Sequence, residues 1–195
     1  KFPNTAGVES QRPCIDGGQA AIAQRALQNR GAGAVFRTIP SKVLSMEDLG
    51  MGEVFRKITD GIYASPQITA DQIAEATALG IKLIVNNRPE GEGDDQTPGE
   101  EIEAAARAAG MDYVAIPVTH SGFSEPQVKA MAAALDTAQG GVLAYCRSGT
   151  RSTLLWALAE ASQGGDPDAL TNMAAKAGYD VSPIRPLMDM LKARA

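Results

Sequence analysis

The chain has 195 residues, of which 44% are hydrophobic, and a formal net charge of −5. That apolar content is enough for a packed core, and the acidic balance argues against wholesale nucleic-acid binding. Two cysteines exclude a disulfide framework, one histidine excludes zinc sites built on several Cys and His ligands, and no apolar run approaches a membrane span.

Residues 1–54 read as an N-terminal extension of unknown role. Asn4–Gly18 is rich in turn formers and reads as irregular chain. Gln19–Asn29 is Ala-rich and is followed by Gly31, the pattern of a short helix with a C-terminal stop. Val35–Val43 reads as an extended piece interrupted by Pro40. From Gly17 to Ser45 there are four basic residues and no acidic ones. This fits a solvated extension or linker better than a docking or targeting arm. A start at Lys1 rather than Met suggests an excised, processed or truncated segment.

From Phe55 to Ala195 the pattern becomes regular and reads as one domain. Ile58–Ala64 is expected to form a strand pair or a bent strand. Thr69 and Gln72 have the spacing of a capping box, opening a helix that runs to Leu79 and stops at Gly80. Ile81–Asn86 is a short apolar run suited to a buried strand, and Arg88–Gln96 is an acidic loop. Thr97 and Glu100 form a second capping box, with Pro98 in the first helical position. After the helix ending at Gly110 come a strand over Tyr113–Val118 and a third helix opened by Ser124 and Gln127. Val142–Tyr145 is the last expected strand. Helices follow over Thr153–Ser162 and Pro167–Lys176, with another beginning at Ser182-Pro183. Trp156 is expected in the core. This alternation predicts an α/β domain: a mainly parallel central sheet of four to five strands flanked by helices in three layers. Function in such sheets gathers at the carboxyl ends of the strands.

Cys146 stands at one such end, in the run Cys146-Arg147-Ser148-Gly149-Thr150-Arg151-Ser152. A thiolate beside positive charge and a helix N-terminus is a nucleophile. A loop wrapped over a helix start turns N–H groups inward as an anion cradle. Arg151 adds a planar fork suited to an oxyanion. Thr150 or Ser152 is placed to donate a hydroxyl hydrogen bond to the sulfur. Cys146 and Arg151 are therefore the candidate catalytic residues, and Arg147, Ser148, Gly149, Thr150 and Ser152 the candidate binding loop. Arg88 and His120 are accessory candidates. Arg88 is placed either to contact substrate or to pair with the acidic loop after it. No cofactor or metal is expected.

The run Cys146–Ser152 resembles the active-site loop of rhodanese-type sulfurtransferases, Cys-Arg-x-Gly-x-Arg-Ser. It also resembles the Cys-x5-Arg loop of cysteine phosphatases, one residue shortened. The helical tail after the loop looks more like the cysteine-phosphatase fold. Together with Ile58-Thr59-Asp60, Val85–Pro89 and Ile116-Pro117-Val118, the chain from Phe55 onward resembles the phosphatase-like domain of beta-lactamase-hydrolase-like proteins, also described as sulfur transferases. The resemblance implies a cysteine-phosphatase-like fold and a cytoplasmic bacterial enzyme of sulfur metabolism or a phosphatase relative. It also implies a fused or partner sulfide-oxidation enzyme.

Three chemistries remain open. In the main reading, Cys146 takes sulfane sulfur from thiosulfate or a persulfide and passes it to a thiol or cyanide. Its partners are then a small anionic sulfur donor and a thiol acceptor. Phosphate monoester hydrolysis through a phosphocysteine is the alternative, and it wants a general acid. His120, Glu125, Asp94 and Asp95 are the candidates for that acid, each with a plainer surface or helix-start reading. The non-enzymatic reading is a persulfide carrier or sensor.

Overall fold

The computed structural model describes residues 54–195; the helix and extended piece read between Gln19 and Val43 lie outside them. The first two strands, β1 (Arg56–Thr59) and β2 (Ile62–Ser65), form an antiparallel hairpin rather than one bent strand. Its turn holds Gly61 at φ +91°, a conformation that suits a residue without Cβ. The chain then alternates through α1 (Ile73–Ala78), β3 (Ile81–Asn86), α2 (Gly99–Ala108), β4 (Asp112–Ala115), α3 (Glu125–Thr137) and β5 (Gly141–Tyr145). Three helices close the domain: α4 (Thr150–Ser162), α5 (Pro167–Lys176) and α6 (Arg185–Lys192).

The five strands lie in the order β1-β2-β5-β3-β4, and every pairing outside the hairpin is parallel. Side chains alternate across a strand, so β5 at the centre feeds both faces. Val142 and Ala144 join Leu155, Trp156, Leu158 and Met188 on the side of α3 to α6, whereas Leu143 and Tyr145 join Ile73, Ile102 and Ala106 on the side of α1 and α2. Trp156 is 1% exposed, a core residue as its sequence neighbours suggested. Among the described residues, no helix is long and apolar enough to cross a membrane.

The helix starts show which local signals prevailed. Ser124 N–H donates to Gln127 Oε1 at 2.8 Å, as expected for the third helix. Thr69 N–H donates to Gln72 Oε1 at 3.0 Å, but on a 3-10 turn that precedes α1. The box expected at Thr97 and Glu100 does not form, and Pro98 is the N-cap rather than the first helical residue. The carboxylate of Glu90 instead accepts the Gly99 N–H at 3.2 and 3.3 Å. A negative charge there also meets the positive end of the helix dipole, so α2 is capped from the preceding loop. β4 ends at Ala115, short of the expected Val118, where the regular register with β3 breaks. Ile116 and Val118 still donate to Asn86 O and Asn87 O at 2.8 and 3.0 Å, which keeps this segment beside the end of β3.

Replacing Glu90 by Ala should lower the unfolding free energy by about 1 kcal/mol, the size of a lost N-cap. Replacing Thr97 by Ala should change it by less than about 0.5 kcal/mol. Urea unfolding of the two variants distinguishes the caps.

Candidate active site

β5 runs through the middle of the sheet and ends one residue before Cys146, which is fully buried. The backbone ties the neighbouring strand ends together at this level. Cys146 N–H donates to Ser65 O at 3.3 Å, and Asn87 N–H donates to Tyr145 O at 2.8 Å. The Asn87 side chain also donates to Ile116 O at 3.0 Å. The ends of β2, β3 and β5 therefore meet at the cysteine, with the segment after β4 tied to the end of β3.

Past Cys146 the chain turns through Gly149, at φ +87°, directly into α4. Gly149 N–H donates to Cys146 Sγ at 3.1 Å. The sulfur thus faces both a backbone donor and the positive end of a helix, and each favours negative charge on it. Arg151, in the first turn of α4, sends Nη1 to Val118 O at 2.7 Å. Its two terminal nitrogens also grip the Glu92 carboxylate at 2.7 and 2.8 Å.

Glu92 has a second cationic partner, accepting from Arg88 Nε at 2.9 Å. Arg88 is 1% exposed. Its remaining nitrogens reach Gln67 Oε1 at 2.8 Å and Asp95 Oδ1 at 3.4 Å. The hydrogen bond from Arg151 holds the Glu92 carboxyl below the usual carboxylate range, against the opposing effect of burial, and Arg88 adds to the lowering. Glu92 is then ionised at neutral pH and is no proton donor while so held. The same pairing raises the pKa of Arg151, to which the negative form of Cys146 also contributes.

The structure brings Cys146, Gly149, Arg151 and Ser152 together at one turn. The hydroxyl donors expected for the sulfur lie otherwise. Thr150 Oγ1 pairs with Ser148 Oγ at 3.2 Å, and Ser152 Oγ is buried with no hydrogen-bond partner. Arg147, Ser148 and Thr150 are exposed on the outer side of the loop. Of the two placements weighed for Arg88, the geometry is that of pairing with the acidic loop. His120 is exposed two residues past Val118, and Asp94 and Asp95 are exposed in the acidic loop. Glu125 is at the start of α3 and pairs with Lys129 at 2.6 Å. Sequence reasoning passed over Glu92, Gln67 and the Val118 carbonyl. For Glu92 a local signal existed in its position four residues after Arg88, but four acids share that loop and the pattern does not say which turns inward.

The model of the phosphatase-like domain of the beta-lactamase hydrolase-like protein matches residues 54–163. The chain belongs to this family. The beta-lactamase hydrolase-like protein of Agrobacterium fabrum is 41% identical over 108 residues, covering 55% of this chain and 25% of that protein. Its counterpart in Xylella fastidiosa is 36% identical over 107 residues with the same coverage, so the chain spans about a quarter of the length of these relatives. Among solved structures, a presumed phosphatase from Neisseria meningitidis is 32% identical with a TM-score of 0.62, over 69% of this chain and 96% of that one. A presumed phosphatase of Shewanella putrefaciens is 25% identical with a TM-score of 0.60, over 77% of this chain and 98% of that one. A stretch of 33 residues, 17% of this chain and 10% of the other, is 82% identical to the type IV pilus retractation ATPase PilT of Pseudomonas aeruginosa. That short overlap assigns no family. The family match takes in the parallel sheet and α4, and the likeness to the solved structures supports a phosphatase-like enzyme fold.

The lowered pKa of Glu92 makes a stability prediction with a definite sign. Stabilisation from its pairing is complete above the ordinary carboxylate range and is lost as the pH falls through the lowered value. Glu92→Gln should therefore reduce stability at pH 7 by about 1–3 kcal/mol, the range for hydrogen bonds to charged groups. The gap between variant and wild type should narrow below about pH 4, where carboxylates titrate. Thermal unfolding of both proteins across pH 3 to 7 gives the comparison.

Proposed function

We propose that this domain is a cysteine-dependent phosphatase acting through a Cys146 phosphocysteine. The observation that carries this reading is the buried Cys146 sulfur, held by Gly149 N–H at 3.1 Å at the start of the helix that bears Arg151. Membership of a phosphatase-like family supports it. In the first step the Cys146 thiolate attacks phosphorus, an S–P bond forms, and the P–O bond to the leaving group breaks with its electron pair on oxygen. Water then attacks phosphorus and the sulfur leaves as thiolate. In this reading, charge on the phosphoryl oxygens is met by loop N–H groups and the Arg151 guanidinium. Glu92 is held as a carboxylate, and His120, Asp94 and Asp95 stand exposed. The substrates suited to such a site are those whose leaving oxygen is weakly basic, aryl or acyl phosphates above alkyl ones.

Sulfur transfer is the second reading, favoured by the loop being one residue shorter than Cys-x5-Arg. A smaller ring of N–H groups suits a persulfide sulfur. Thiosulfate would leave sulfite, a stable anion that needs no proton, with a thiol as the eventual acceptor.

One pair of measurements separates the readings. Turnover of a series of aryl phosphates, steeply slower as the leaving phenol becomes more basic and abolished in Cys146→Ser, is the result expected for the phosphatase. Intact mass after incubation with thiosulfate is the other arm. A gain of one sulfur on Cys146, discharged by cyanide or glutathione and without aryl phosphate turnover, would overturn the phosphatase in favour of sulfur transfer.

A further inference from the structure

Tyr179 lies just beyond α5 and is absent from every reading of the active-site loop. Its backbone N–H donates to Ala174 O at 2.9 Å, which anchors it to the end of the helix. The Arg56 guanidinium of β1 lies over its ring, 5.2 Å from the centre. The hydroxyl end of the ring bears on Gly149. A Cβ built on Gly149 would overlap the Tyr179 hydroxyl and would lie 2.7 Å from Cζ and 3.0 Å from Cε1. The tyrosine is 7% exposed, and its hydroxyl is buried without a hydrogen-bond partner.

Gly149 is the residue of the loop with left-handed backbone. Glycine is free to take φ +87° but has no side chain to hold it there. Its N–H is the donor to Cys146 Sγ, so any rotation of that peptide loosens the sulfur. We propose that Tyr179 is a positioning residue for the nucleophile: by bearing on Gly149 it keeps the Gly149 N–H directed at Cys146. A second observation separates this from simple packing. Buried polar groups are normally paired, and a phenylalanine would fill the same space without burying an orphan oxygen. Burial raises the Tyr179 pKa and the negative form of Cys146 adds to this, against Arg56, so the hydroxyl keeps its proton. The hydroxyl oxygen is also the atom of Tyr179 nearest to the position of a Gly149 Cβ, so a phenyl ring would bear on Gly149 less closely.

This inference rests on Cys146 being the nucleophile, under either transfer chemistry. The test is the pH dependence of iodoacetamide labelling at Cys146 in the full chain, resolved from Cys14 by peptide mass, for wild type, Tyr179→Phe and Tyr179→Leu. Thermal unfolding is recorded alongside. Tyr179→Phe should move the labelling profile to higher pH and slow labelling near neutral pH by about threefold or more, the effect of weakening one hydrogen bond. Tyr179→Leu should move it further. Folded variants whose profiles coincide with wild type would overturn the proposal and leave Tyr179 a packing residue. Wild-type Cys146 that takes no label at any pH while Cys14 does would remove the nucleophile reading, and this proposal with it.

Discussion

Arg88 is the constraint on which the site depends. A guanidinium stays charged in a protein, and at 1% exposure it is met by side chains rather than by water. Its partners come from Gln67 and from the acidic loop that follows it, so the loop is folded back over the end of β3. Glu92 then has one carboxylate to share between Arg88 and Arg151. The arginine of the cysteine loop is held by a residue that is itself held by the core of the domain. A chain of charge-assisted contacts thus runs from the sheet to the start of α4 and fixes the orientation of the Arg151 guanidinium.

The same arrangement explains why some of the protein was legible in the sequence. The alternation of strands and helices, the Cys146–Ser152 loop, the buried Trp156 and the Ser124–Gln127 helix start all rest on neighbours within a few positions. Such patterns survive folding when nothing distant competes. Glu90 did compete, capping α2 from nine positions away and displacing the local box at Thr97. Glu92 meets Arg151 across 59 positions, a pairing for which sequence spacing carries no signal. Tyr179 reaches Gly149 only because α4 and α5 fold back on the sheet, and a tyrosine after a glycine looks like any helix end.

Chemistry and fold make different demands at Cys146. Packing alone would accept a small apolar side chain where the sulfur is fully buried, and would prefer a hydroxyl-free residue at Ser152 and at Tyr179. Cys146 is fully buried and the Ser152 and Tyr179 hydroxyls are buried without hydrogen-bond partners, which packing alone does not favour.

The strand order has a temporal consequence. β2 and β3 do not touch; each pairs with β5, which enters between them late in the chain. Until residues 141–145 are in place, the hairpin on one side and the β3–β4 pair on the other are two separate ribbons. Closing the sheet therefore requires contacts between segments far apart along the chain, the kind that form slowly. The strand that closes it also ends at the cysteine. Assembly of the core and placement of Cys146 at the sheet end are therefore one event.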